Sequence, residues 1–360
     1  MTESGRLRGA GLAGAAVGLL AAGAAAGVAV ERLTVGRGMR HRARLALDAT
    51  GPYGTLRGTP GTAVAEDGTE LYYEVDEGAP DLTVILSHGY CLGQDSWHFQ
   101  RAALRAAGVR AVYWDQRSHG RSGRGRTAPP SIDLLGRDLA AVIDAAAPEG
   151  PLVLVGHSMG GMTQMALAGQ FPGLIAERVV GAAFVGTSSG KLAELTFGLP
   201  AAGMSVVRRV LPGAFRLMTD RTELVEKGRR LGSDLLSGVY RRYSFGSRDV
   251  DPAVARFAER LLEATPVDVV AEFYPAFVAH EKAAALRAFR GRPTLVLAGE
   301  KDLVTPSGHS EAVAAELPEA ELVVVPGAGH LVTLERPDVV DERLAALLAA
   351  ARETARAPRA

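Results

Sequence analysis

A serine flanked by glycines is the residue of this chain best suited to nucleophilic chemistry. Residues 156–161 read Gly-His-Ser-Met-Gly-Gly, and they follow the apolar run Pro-Leu-Val-Leu-Val over 151–155. A serine on a tight strand-to-helix turn exposes its hydroxyl at the end of a sheet, and larger neighbours would collide with the backbone there. The N-terminus of the following helix favours negative charge that develops at the site. The pattern therefore predicts Ser158 as a nucleophile rather than a simple helix cap.

A serine hydroxyl needs a base to take its proton, and the chain contains 8 histidines. His330 is the best placed, because it follows the last predicted strand on the glycine-rich loop 326–330. The base in turn needs a carboxylate that fixes its tautomer and stabilises the imidazolium. Asp302 lies just beyond the predicted strand 293–298, and Glu300, nearer to the strand end, is its rival. The order serine, aspartate, histidine is known for such triads.

Alternating strands and helices must position these residues. The strands are predicted at 70–75, 83–87, 109–114, 151–155, 179–185, 293–298 and 321–325, and the helices at 96–107, 131–147, 159–171 and 339–351. Short apolar strands that alternate with helices indicate an α/β fold with a mostly parallel central sheet, flanked by helices on both faces.

The stretch between the two groups of strands breaks this alternation. Residues 188–289 have helical apolar spacing and no convincing strand, so they are predicted to form an inserted helical lid. Four segments are therefore predicted. They are an N-terminal membrane segment and linker over 1–60, the first half of the core over 61–187, the lid over 188–289, and the second half of the core over 290–360.

Residues 61–186 and 290–352 resemble the α/β-hydrolase superfamily. Four separated motifs carry the resemblance, in the order that the family shows: His88-Gly89, the peptide Asp-Gln-Arg-Ser-His-Gly-Arg-Ser over 115–122, the serine turn over 156–161, and the pair Asp302 and His330. The chain is most similar to the group of esterases, lipases and cofactor-free haloperoxidases that bear a lid.

This resemblance has consequences for individual residues. It implies that His330 is the base, it favours Asp302 over Glu300 as the acid, and it gives the peptide 115–122 a structural role beneath the site.

Ester attack would build an oxyanion, which two backbone N–H groups should bind. One belongs to Met159, directly after the nucleophile, and the other to Tyr90, directly after the His-Gly pair. The side chain of Tyr90 is also suited to line the pocket. The predicted lid is rich in aromatic residues, and Phe273 and Phe277 are expected to contribute to an apolar substrate pocket.

The function predicted from these residues is hydrolysis of carboxylic esters with apolar acyl or alcohol groups, through an acyl-enzyme. A carbon–carbon bond hydrolase or a haloperoxidase-like enzyme that needs no cofactor is the alternative, and a non-catalytic ligand-binding module is a further one. No metal-binding or nucleotide-phosphate motif occurs, so no cofactor is implied. Lysine plus arginine number 40, as do aspartate plus glutamate, so no nucleic-acid partner is indicated.

The start of the chain carries an uncharged run, residues 9–30. An apolar segment of about 20 residues is long enough to span a bilayer as a helix. We therefore expect an N-terminal apolar helix and a membrane association through a single-pass anchor. A cleaved signal peptide with secretion is one alternative, and a tail that is soluble or disordered is another. Five arginines follow the run and two precede it, which favours a cytoplasmic location for the rest of the chain.

Overall fold

The computed structural model describes residues 53–125, 129–194, 210, 220, 222, 225 and 233–357. The eight strands are β1 Thr59–Val64, β2 Glu70–Asp76, β3 Ala79–Ser87, β4 Val109–Trp114, β5 Leu152–His157, β6 Val179–Val185, β7 Thr294–Gly299 and β8 Glu321–Val325. The α-helices are α1 His98–Ala106, α2 Ile132–Ala146, α3 Met159–Gln170, α4 Pro172–Arg178, α5 Ser233–Ser244, α6 Pro252–Ala264, α7 Val267–Val278, α8 Ser307–Glu316, α9 Val332–Glu335 and α10 Pro337–Arg356.

The strands form one sheet in the order β1-β2-β4-β3-β5-β6-β7-β8. β1 and β2 pair antiparallel with each other, and β2 pairs antiparallel with β4. All other neighbours are parallel. Because parallel strands end at the same edge of a sheet, the loops after β3, β5, β6, β7 and β8 meet there. This is the predicted class, an α/β-hydrolase fold with a mostly parallel sheet.

Helices cover both faces of the sheet, as the apolar runs predict. Leu152 and Leu154 of β5 pack in one buried cluster with α2, whereas Val153 and Val155 pack in a second cluster with α10. Alternate residues of a strand point to opposite faces, so a strand that is covered on both sides reads as a continuous apolar run. β1 was not predicted. It starts at Thr59, inside the stretch that the sequence assigns to the linker.

Within the described residues, helices α5, α6 and α7 lie between β6 and β7 in the chain. α6 contributes to an apolar cluster that includes Leu92 and Leu331, which follow β3 and β8. α7 packs through Val269, Phe273 and Ala276 against Met159 and Met162 at the start of α3. The segment between the two halves of the sheet therefore contacts the loops at the carboxyl edge.

The prediction of a membrane-anchored location is wrong on the described part of the chain. No helix there is long and apolar enough to cross a membrane. α10 has 20 residues, but charged side chains are distributed along it, and such a helix is too polar to span a bilayer. Residues 9–30, on which the predicted apolar helix and anchor rested, lie outside the described residues.

Candidate active site

Ser158 occupies the sharp turn between β5 and α3. Its backbone has φ 51° and ψ −116°, a combination that residues other than glycine rarely adopt. Its N–H donates to the carbonyl of Val185 at 2.8 Å, and the Thr187 hydroxyl donates to its carbonyl at 2.7 Å. Val185 is the last residue of β6, and Thr187 lies two residues beyond it. The strained conformation is thus held in place by the neighbouring strand, as expected where strain supports function.

The glycines of the turn are required by close approach. A Cβ on Gly160 would lie 2.0 Å from the carbonyl oxygen of Ser87, and one on Gly156 would lie 2.5 Å from the carbonyl carbon of Gly160. Neither contact is compatible with a side chain. The backbone of α3 therefore packs directly against the end of β3.

Replacement of Gly160 by alanine is expected to lower the free energy of unfolding by about 3 kcal/mol, because overpacking forces the helix away from β3. Gly169 of the same helix is a matched control, since a Cβ there meets only Ala285 Cβ, at 3.5 Å. Gly169→Ala should leave stability equal or higher, as alanine favours helices. Denaturant unfolding of both variants tests this, and equal midpoints would contradict the proposed crowding.

The structure brings Ser158, His330 and Asp302 together. The Oγ of Ser158 lies 3.1 Å from His330 Nε2, and His330 Nδ1 lies 2.8 Å from Asp302 Oδ2. All three side chains are buried. The carboxylate oxygen can only accept, so Nδ1 carries the hydrogen and Nε2 is left as the acceptor for the serine hydroxyl. This is the geometry that general-base activation of a serine requires.

Asp302 is held in its ionised form by its surroundings. Burial raises the pKa of this carboxyl, but His330 and the amides of Val304 and Thr305 lower it, and the net result lies below the ordinary value of 3.8. The two amides donate to Oδ1 at 2.7 and 2.8 Å. Glu300, the rival of Asp302, is exposed and accepts the N–H of Gly327 at 2.8 Å.

Three other histidines lie near the triad and are buried. Burial lowers the pKa of His157 to about 3, that of His88 to about 4 and that of His119 to about 3, so all are neutral at physiological pH. His157 donates from Nε2 to the backbone carbonyl of His330 at 3.0 Å and so fixes the loop that carries this residue. His88 donates to its neighbour Gly89 and accepts the N–H of Gln116.

Met159 and Tyr90, the residues predicted to form the oxyanion hole, lie at the start of α3 and directly after Gly89. Met159 is the first residue of α3, and the first N–H groups of a helix have no partner within it. Tyr90 follows Gly89, where a Cβ would approach His157 Nδ1 to 2.6 Å. The hydroxyl of Tyr90 donates to the carbonyl of Val270 in α7.

The two aromatic residues predicted to line the pocket lie on α7, beside Tyr90. The ring centre of Phe277 lies 4.8 Å from that of Tyr90, and that of Phe273 lies 5.1 Å from that of His119. Phe273 is fully buried, whereas Phe277 is half-buried. α7 is also fastened to the core by Arg124, which pairs with Asp268 and Glu272.

The peptide 115–122 supports the site from beneath. Asp115 accepts the N–H of Gln94 at 2.7 Å through one carboxylate oxygen and that of Arg121 at 2.8 Å through the other. It thereby links this peptide to the loop that follows His88 and Gly89. Sequence reasoning expected a structural role for this peptide but identified no partner for it.

Comparisons with known proteins agree with this architecture. Residues 83–337 match the family described as alpha/beta hydrolase fold. The chain is 28% identical over 291 residues to an sn-1-specific diacylglycerol lipase of Mus musculus. The aligned region covers 78% of this chain and 85% of the lipase. It is 37% identical over 102 residues to a non-heme chloroperoxidase of Streptomyces lividans. This shorter aligned region covers 28% of this chain and 36% of the chloroperoxidase.

Solved structures share the fold. A thermophilic esterase from Thermogutta terrifontis superimposes with a TM-score of 0.63 at 24% identity, covering 81% of this chain and 99% of the esterase. The sheet order and the inserted helices define an open α/β fold, a class in which ligands bind at the carboxyl edge of the strands. The chain belongs to the α/β-hydrolase fold family, and it is a hydrolase.

Proposed function

We propose that this protein is a serine hydrolase that cleaves carboxylic esters with apolar acyl or alcohol groups through an acyl-enzyme. The observation that carries the proposal is the continuous hydrogen-bonded series from Ser158 Oγ through His330 to Asp302. A non-catalytic binding module would not need a nucleophile, a base and an acid in this arrangement, because each adds a buried polar group that costs stability.

The proposed order of proton transfers is as follows, and the distances within the triad support it. His330 Nε2 takes the proton of Ser158 as Oγ attacks the ester carbonyl carbon, and Asp302 stabilises the imidazolium. The N–H groups of Tyr90 and Met159 bind the oxyanion. His330 then gives its proton to the leaving alcohol. A water molecule that the same base activates attacks the acyl-enzyme, which releases the acid and restores Ser158.

The segment 188–289 is the proposed lid, and the rings on α7 are its proposed contribution to the pocket. They lie beside Tyr90 and pack with apolar side chains around Met159. Such a lining favours an uncharged, apolar group of the substrate. The similarity to the mouse diacylglycerol lipase and to the chloroperoxidase suggests two classes of reaction, hydrolysis of lipid esters and haloperoxidase-like chemistry. The experiment must separate them.

A substrate panel tests the proposed reaction. It combines p-nitrophenyl esters of increasing acyl length, a monoacylglycerol and a vinylogous diketone, and a halogenation assay with peroxide and halide is run beside it. Turnover of the esters with release of the acid supports an esterase. Preferred cleavage of the diketone, or ester turnover far below peroxide-dependent halogenation, would replace ester hydrolysis with one of the alternatives.

Phe277→Ala is expected to change the ranking of acyl chain lengths, because it removes a half-buried ring from the proposed pocket while the triad stays intact. Phe273→Ala should act similarly, but removal of a fully buried ring also costs about 3–5 kcal/mol of stability. Phe171, a half-buried ring at the far end of α3, provides the control. The measurement is kcat/KM across the p-nitrophenyl series. A ranking equal to that of Phe171→Ala would show that α7 does not select the acyl group.

A further inference from the structure

Thr305 contacts each component of the acid–base pair, although neither the triad pattern nor the proposed mechanism uses it. Its Oγ1 lies 2.9 Å from Asp302 Oδ2 and 3.3 Å from His330 Nδ1. The same oxygen lies 2.8 Å from the carbonyl oxygen of Gly186. The side chain is 1% exposed, so water does not compete for these contacts.

The hydroxyl has one hydrogen and two partners that can only accept. When it donates to Asp302 Oδ2, it forms a charge-assisted bond with the oxygen that faces His330. When it donates to Gly186, its own lone pairs face Nδ1–H of His330. The amides of Val304 and Thr305 already occupy Oδ1. With its hydroxyl donating to Asp302, Thr305 therefore holds both carboxylate oxygens. Its amide donates to Oδ1 and its hydroxyl donates to Oδ2.

Gly186 gives this contact its anchor. It directly follows β6, adopts φ +50° and donates its N–H to the carbonyl of Leu297 in β7 at 2.7 Å. The next residue, Thr187, holds the carbonyl of Ser158. The end of β6 thus connects to the nucleophile through one threonine and to the acid through another.

We propose that Thr305 is a positioning residue, which ties Asp302 and His330 to the end of β6 and so sets the orientation of the acid–base pair relative to Ser158. This inference rests on the proposed serine-hydrolase function. It assigns to Thr305 an effect on turnover rather than on substrate binding, since among the described residues the hydroxyl has polar contacts with the acid, the base and a backbone carbonyl only.

Thr305→Val is the decisive variant, because valine has nearly the same shape and lacks the hydroxyl. With p-nitrophenyl butyrate, kcat should fall about tenfold or more, as expected for a lost bond to a charged group, while KM stays close to that of the wild type. The acidic limb of the pH profile of kcat/KM should move to higher pH. Loss of the donor leaves more negative charge facing the imidazolium, which favours protonation of the base. Thr305→Ser should restore both properties.

Thr294→Val is the matched control. This buried threonine begins β7, and its hydroxyl donates to the backbone carbonyl of Arg292 at 3.0 Å, far from the carboxyl edge. Thr305→Ala is held to the same criteria if the valine variant does not fold, and thermal unfolding gives the folded fraction of each variant.

Three results would overturn the inference. They are a Thr305→Val variant equal to Thr294→Val, a loss of kcat with an unmoved acidic limb, or a serine variant as impaired as the valine variant. An inactive wild type would overturn the proposed function as well. An active wild type with an unimpaired Thr305→Val variant would overturn the positioning role alone.

Discussion

Ser158→Ala is expected to abolish labelling by a fluorophosphonate and to lower kcat for ester hydrolysis by about a millionfold, the loss typical of a missing catalytic serine. The probe forms a bond to an activated serine oxygen, and the structure places the Ser158 Oγ 3.1 Å from the nitrogen that would activate it. Intact-mass measurement of the protein after treatment gives the extent of labelling, and a p-nitrophenyl ester gives the rate.

Ser310→Ala is the appropriate control for this experiment. Ser310 is fully buried in α8, and its hydroxyl has no hydrogen-bond partner in the part of the chain that the structure describes. Its loss should leave both labelling and turnover unchanged. Labelling of Ser158→Ala at the wild-type extent, or retention of its esterase activity, would show that another residue is the nucleophile.

Asp302→Asn is expected to lower kcat by about four orders of magnitude. The amides of Val304 and Thr305 donate to Oδ1, so they hold the oxygen of an asparagine there and turn its NH2 group towards His330 Nδ1. His330 Nδ1 must then accept a hydrogen bond from this NH2 group. The imidazole hydrogen therefore moves to Nε2, where it blocks proton transfer from Ser158. The triad keeps its geometry, but His330 has the wrong tautomer for accepting the proton of Ser158.

Glu300→Gln separates this effect from a general loss of acidic residues in the same loop. Glu300 is exposed and accepts only the N–H of Gly327 among its described contacts, a role that a glutamine oxygen can take over. Its kcat should stay near the wild-type value. If Glu300→Gln were the more damaging of the two changes, the acid of the triad would be Glu300.

Much of the fold was predictable because its central strands are covered on both faces. The runs 109–114 and 179–185 coincide with the buried strands β4 and β6. The run 321–325 coincides with β8, which lies at one edge of the sheet and is mostly exposed, and which was recognised by its apolar sequence alone. β1 was not predicted from the sequence, because it contains a proline and a glycine and exposes most of its residues at the edge of the sheet. β1 therefore lacks the apolar run by which the other strands are recognised.

The triad candidates were accessible from sequence for a different reason. Ser158, Asp302 and His330 each follow a recognisable strand, and parallel strands bring such positions to one edge. Thr305 and His157 gave no such signal. Thr305 meets Gly186 across 119 residues, and His157 meets the carbonyl of His330 across 173. Contacts of this kind depend on loop conformation, which no local pattern encodes.

The segment 188–289 was predicted as helical, and α5, α6 and α7 lie within it. What the sequence did not indicate is how α7 is attached. Arg124 pairs with Asp268 and Glu272, and these ion pairs join two parts of the chain that are more than 140 residues apart. Aromatic content alone predicted that Phe273 and Phe277 would contribute to the pocket, but it did not predict this electrostatic attachment of α7.

Tyr90 belongs to two parts of the molecule at once. Its backbone N–H is one of the two proposed to bind the oxyanion, and its hydroxyl donates to a carbonyl of α7. Displacement of α7 by a bound molecule therefore either breaks this hydrogen bond or shifts the backbone beside Gly89. By thermodynamic linkage the coupling is reciprocal, so a ligand that engages the N–H of Tyr90 also biases the position of α7. If the N–H of Tyr90 binds the oxyanion, access to the proposed pocket and affinity for the transition state share one equilibrium rather than two separate ones.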